Sequence, residues 1–195
     1  MNERDLSTLR ANAIAVQADL TQQLGTEITD ITHCLSLFTD AAFDLLGDRL
    51  AHQQAGALKP GEQQFFVAGF FMLMPSAAEH LLVSERGFPP EQHRLRIPLE
   101  LGHPGWVFTH QVPLLLANTD EHGDFKQILK TARMGSAMYV PMLWRGKFLG
   151  QMIMAAQARH TFAQADLQIL RAMAGTATAT FVAAGGATEL FAAVT

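Results

Sequence analysis

The stretch from Gly102 to Gly150, GHPGWVFTHQVPLLLANTDEHGDFKQILKTARMGSAMYVPMLWRGKFLG, decides how the rest of the chain is arranged. It opens with a Gly-x-Pro-Gly turn whose glycines accept positive φ, followed by a short run ending in Trp106, Val107 and Phe108 that suits one or two helical turns. A strand-like run, Val112 to Ala117, comes next. The polar segment Asn118 to Met134 is too charged for a central strand and too broken by Gly123 for one long helix. Two strands joined at Arg145-Gly146-Lys147 follow. This pattern describes a helix and a covering segment laid over a sheet, with apolar side chains directed between them.

Working outward, Phe65 to Met74 (FFVAGFFMLM) is continuously apolar, as expected for a central strand covered on both faces. His80 to Ser84 reads as a second strand and the alternating Arg94 to Pro98 as a third with one solvated face. Lys147 to Ala158 is the last strand. Thr161, with Gln164 three residues on, reads as a capping box for a closing helix that carries Leu167, Leu170, Ala174, Ala177, Phe181 and Ala184. At the other end, Leu6 to Leu24 has amphipathic helical spacing, which Gly25 and Thr26 interrupt. The spacing resumes as a narrow three-four seam from Ile28 to Leu45. The divisions expected are a helical extension over 1–61, a domain over 62–184 that includes the closing helix, and a tail over 185–195.

Several motifs together are similar to those of a GAF domain, the small-molecule sensing module of phytochromes, cyclic-nucleotide phosphodiesterases and many bacterial sensors. They are G-x-P-G-W-V at Gly102 to Val107, PLLLANT at Pro113 to Thr119, SAMYVPMLWRGKFLGQM from Ser136 to Met152, and TFAQADLQILRAMA from Thr161 to Ala174. The V-P-x-x-x-x-G-x-x-x-G spacing from Val140 to Gly150, joined with the final F-x-x-x-D-L, is the specific part. The resemblance covers Gln63 to Ala184. It implies an α+β fold of three layers, α/β/α, with an antiparallel sheet of five or six strands and the terminal helices on one face. It also implies a homodimer, as do the matching apolar seams of the first and last helices, which a four-helix bundle between two copies would cover.

Composition narrows the function. The chain has 195 residues, room for one core, and a formal charge of −4 with its basic residues scattered, which disfavours nucleic acid as a partner. No apolar run approaches the ~20 residues of a membrane-spanning helix, and the N-terminus does not read as a secretory signal. A cytoplasmic protein is expected. The single cysteine, Cys34, excludes an internal disulfide framework and reads as a small core residue.

No metalloprotease, nucleophile-elbow or phosphate-loop motif is present, and the eight histidines form no i, i+4 pairs on a predicted helix. A catalytic site is therefore not expected. His103, His110 and His122 lie in segments that cover the sheet, where an imidazole would hydrogen-bond an anionic ligand, ligate haem as in some GAF relatives, or simply meet water. The bilin and free methionine sulfoxide reductase members of the family use cysteines at or before the pocket. The matched region here has none. Asn118, Asp120, Glu121 and Phe125 depart in order and spacing from the family's cyclic-nucleotide signature, so no cofactor is identified.

What the residues offer is a lining. Phe71 and Leu73, Val107 and Phe108, and Phe125, Ile128 and Leu129 would enclose an apolar volume, with Met134, Met138, Met152 and Met154 as adaptable wall. His110, Asn118, Asp120, Ser136 and Tyr139 are the polar candidates at the rim. The function expected is a regulatory sensor without catalysis, binding an unidentified small molecule and signalling through its terminal helices to a partner protein. The alternatives are a redox or hydrolytic enzyme on the same fold, or a dimerisation module whose pocket has filled in.

Overall fold

A computed structural model describes residues 3–27, 30–74, 78–122 and 134–186. The elements run α1 (Glu3–Glu27), α2 (Ile31–Leu45), β1 (Phe66–Met74), β2 (Glu79–Arg86), β3 (Arg96–Pro98), α3 (Gly102–His110), β4 (Leu114–Leu116), β5 (Ser136–Trp144), β6 (Lys147–Ala156) and α4 (Gln164–Ala183). The strands form one six-stranded antiparallel sheet in the order β3-β2-β1-β6-β5-β4. The three-layer α/β/α arrangement expected from the sequence is the one found.

β1 sits at the centre of this order, which is why its sequence carries no polar residue. Its alternate side chains feed two separate cores. Phe66, Ala68, Phe70 and Met72 turn towards α1, α2 and α4, while Val67 and Phe71 turn towards α3. The two faces are called here the α4 face and the α3 face. The seam of α2 (Leu35, Phe38, Ala42) and that of α4 (Leu170, Ala174, Ala177, Phe181) meet on the α4 face and bury each other against the sheet.

Local signals explain the turns. Arg145 and Gly146 both have positive φ, 49° and 75°, the backbone a tight hairpin between β5 and β6 requires. Of the two glycines flanking Pro104, Gly102 has φ 60°, whereas Gly105 serves another purpose: a Cβ there would lie 2.3 Å from the Glu100 carbonyl carbon. Its absence lets the chain fold back tightly into α3. The helix α1 continues through Gly25 rather than bending at it.

The start of α4 differs from the expected Thr161–Gln164 box. Ala163 is the N-cap, and its backbone N–H donates to the carboxylate of Asp166 at 2.9 Å. Thr161 instead donates its hydroxyl to the Ala158 carbonyl at 2.7 Å. An acidic side chain in the first turn also suits the positive end of the helix dipole, a role Gln164 lacks.

The connection from β3 to β4 positions the candidate site. These strands occupy opposite edges of the sheet, so α3 and its flanks must cross the whole intervening face.

Candidate functional site

The α3 face is lined by Val67 and Phe71 from β1, Leu82 from β2, Tyr139 from β5, Phe148 and Ile153 from β6, and Val107 from α3, with Leu73 and Phe108 half-buried beside them. Polar side chains are set into this wall. His80 on β2 is fully buried, with the rings of Phe108, Phe148 and Phe71 edge-on at 5.9, 6.0 and 6.4 Å between centroids. Neither of its ring nitrogens makes a hydrogen bond of normal geometry among the described residues, and the Leu99 backbone offers only a weaker polar contact. Burial drives its pKa down to about 4, against a smaller opposing effect of the Leu99 backbone, so the ring is neutral at physiological pH.

Gln151 on β6 is the second such group. Its amide donates to the Pro104 carbonyl at 3.1 Å, which seats the start of α3 on the sheet, while its own carbonyl oxygen is buried with no partner among the described residues. Further along, His103 stacks on Tyr139 at 6.1 Å and meets His122 edge-on at 6.4 Å. Burial pushes the Tyr139 phenol well above its ordinary value and keeps it protonated. The wall is apolar and aromatic, with the uncharged groups of His80, Gln151 and Tyr139 inside it.

The expected lining residues do not form one set. Phe71, Leu73, Val107 and Met134 do come together on the α3 face. Met138 and Met152, with Met154, lie on the opposite α4 face and pack against the terminal helices. Strand alternation is the cause, since Met138 stands next to Tyr139 and must point the other way. Ser136 shares the phase of Met138; its hydroxyl donates to the Leu116 carbonyl at 3.0 Å and accepts from the Phe162 N–H at 3.4 Å. It holds strands and α4 together rather than facing a ligand.

His110 also faces elsewhere. It is exposed at the end of α3, stacked on Trp106 at 4.2 Å, with Nδ1 2.8 Å from the Trp106 carbonyl. Asn118 accepts from the Asp120 N–H at 3.1 Å and so caps the short 3₁₀ turn Thr119–Glu121. Phe125, Ile128 and Leu129 lie outside the described residues. His80 and Gln151 were not singled out by sequence reasoning, although His80 shares a strand phase with Leu82 and was legible as an inward position.

Asp120 belongs to a charged cluster at a neck where residues 119 and 120 meet residues 134 and 135. There the Thr119 N–H donates to the Gly135 carbonyl at 2.9 Å and its hydroxyl to the Met134 carbonyl at 2.5 Å. Arg159, only 3% exposed, grips both Glu62 carboxylate oxygens, donates from Nε to Asp120 at 3.0 Å and reaches the Ala57 carbonyl at 3.2 Å. Lys59 pairs with Asp120 at 2.7 Å. The Lys59 hydrogen bond, helped by Arg159, holds the Asp120 carboxyl below its usual range. For Glu62 burial acts upward, yet the bonds from Arg159 and the Lys59 backbone outweigh it and the carboxyl is again lowered.

Among the described residues no three His, Cys, Asp or Glu side chains gather as a metal site. None of the described helices is long and apolar enough to cross a membrane.

Comparison with known proteins agrees with this geometry. The family model described as GAF domain matches residues 50–181, and the chain belongs to the GAF domain family. Among solved structures it is similar to the GAF domain of a phosphoenolpyruvate-protein phosphotransferase from Coxiella burnetii, at 18% identity and TM-score 0.73, covering 92% of this chain and 98% of that one. It is also similar to a free methionine-R-sulfoxide reductase from Neisseria meningitidis solved with its substrate, at 16% identity and TM-score 0.69, covering 96% of each chain. A third is a putative GAF sensor protein from Burkholderia vietnamiensis, at 15% identity and TM-score 0.67, covering 87% and 93%. At these identities the likeness is one of fold, shared by sensors and enzymes alike. No curated protein matches the chain.

Proposed function

We propose that this chain is a regulatory GAF domain that binds a small, uncharged organic molecule between the sheet and α3, without catalysis, and works as a homodimer. The observation that carries the reading is a pair of buried groups on the α3 face whose hydrogen-bonding capacity is not filled, the Gln151 carbonyl and the His80 ring with its weak Leu99 backbone contact, in an aromatic wall. A buried polar group left without a hydrogen bond costs about 1–3 kcal/mol, a cost that a bound molecule offering hydrogen bonds would remove. Neutral His80, protonated Tyr139 and the Gln151 amide match a ligand with an apolar body and a hydrogen-bond donor.

The dimer is proposed through the outer surface of α1 and α4. There Ile14, 73% exposed, stands with Ala13, Ala18, Ile169 and Ala172 over an open groove of about 430 Å³. A second copy laid on this surface would form a four-helix bundle and carry a change in the sheet to a signalling partner.

Thiol redox chemistry, the main alternative, has only Cys34 to draw on. That thiol is fully buried on the α4 face and burial pushes its pKa up to about 11, so the reactive thiolate is suppressed.

Native mass spectrometry of freshly purified protein, compared with the denatured mass, tests both parts. The expected result is a dimer carrying a small-molecule adduct that is lost on denaturation and is absent from His80→Phe. A bare dimer, with no thermal shift across a panel of neutral heterocycles, would instead support a scaffold with a filled pocket.

A further inference from the structure

We infer that Arg159 is a positioning residue that fixes the neck formed by residues 119–120 and 134–135 to the root of α4, so that a disturbance at the neck is felt at the end of α2 and the start of α4. The inference concerns the regulation of the site proposed above and takes its purpose from that reading. Its mechanics do not depend on any ligand.

A buried guanidinium is costly unless its N–H groups are met. Here they are met by two separate pieces of chain, the Ala57–Glu62 loop and the neck at Asp120, while Arg159 itself sits on a third, the connection from β6 to α4. A planar fork satisfied from several sides has little freedom to shift independently.

The residues that follow are pinned one after another. The His160 N–H donates to the Ala117 carbonyl at 2.6 Å, back on the strand that leads to the neck. His160 has φ 59°, in the left-handed region that non-glycine residues adopt uncommonly and histidine more readily than most. The Thr161 carbonyl accepts from the Asp48 N–H at 2.9 Å, and the Phe162 N–H donates to Ser136. Asp166 then closes the series, accepting from Ala163 at 2.9 Å and from the Gly47 N–H, just past α2, at 3.0 Å. The short backbone run from Arg159 to Asp166 is therefore tied by hydrogen bonds at successive residues, from Asp120 at one end to the end of α2 and the start of α4 at the other.

Spatial continuity alone does not establish coupling; non-additivity does. The experiment is residue-resolved amide exchange by NMR on the full chain, read at Gly47 and Ala163. Thr119→Val removes the hydroxyl bond at the neck and touches neither amide directly. In the otherwise unchanged protein it is expected to speed exchange at both about fivefold, equivalent to roughly 1 kcal/mol of local stability. In an Arg159→Met background both amides should already exchange quickly and Thr119→Val should add nothing. Arg159→Lys, which keeps the charge without the fork and is the version to use if Arg159→Met does not fold, should behave the same way.

Unchanged Gly47 and Ala163 amides in Thr119→Val would overturn the inference. So would an equal acceleration with and without Arg159, or coupling that survives in Arg159→Lys. Because no ligand enters the measurement, its failure is distinct from failure to find an adduct.

Discussion

The two faces of the sheet are built from the same strands and filled by different rules. The α4 face is almost entirely aliphatic and aromatic, and where polar groups do occur they satisfy each other, as Thr39 and Ser84 do at 2.6 Å. The α3 face places His80 and Gln151 among phenylalanines and leaves acceptor or donor capacity unused. The first arrangement maximises cohesion and the second sacrifices some of it. Stability should accordingly reside on one face and responsiveness on the other.

The largest test of that contrast is Phe38→Ala on the α4 face. Phe38 is fully buried where α2 meets the sheet, and its truncation should cost about 3–5 kcal/mol in chemical denaturation. The half-buried Phe108→Ala on the α3 face should cost clearly less. Equal losses would mean that the two faces are equivalent cores.

Next in size is a pH effect confined to the α3 face. His80 has a folded pKa of about 4 against an ordinary value of 6.5, so the unfolded chain takes up a proton that the folded one refuses. The sign follows: the contribution is intact above pH 6.5 and is lost progressively as pH falls towards 4. The total is about 3 kcal/mol. Urea denaturation at stepped pH should show this slope, and His80→Phe should remove that part of it.

Ser136→Ala is smaller, about 1–2 kcal/mol, because it strands the buried Leu116 carbonyl and the Phe162 N–H without touching the α3 wall. Ligand capture by such a protein should be unchanged, whereas a residue lining the site would alter it. The smallest effect on folding belongs to Ile14→Ala, less than about 0.5 kcal/mol for an exposed position. Sedimentation of Ile14→Arg nevertheless should show monomers, since a charge there would be buried between copies.

Much of the architecture was readable beforehand because it is written locally. The unbroken apolar run of β1, the Arg145-Gly146 hairpin and the seam of α4 each state their own environment within a few residues. The candidate site was harder. In strands apolar on both faces, period two shows that neighbours diverge without showing which one faces α3, and so the sequence does not reveal that Met138 and Met152 face the terminal helices. Arg159 carries no periodic signal at all, since its partners come from residues 57, 62 and 120, which only the assembled fold brings together.

α3 is joined to strands at the two outermost edges of the sheet. A beam supported at both ends does not swing open like a door; it bows, and the gap it yields is narrow and brief. On the proposed reading, a guest held under such a span would exchange slowly with its surroundings, and the protein would average over past supply instead of following each momentary fluctuation.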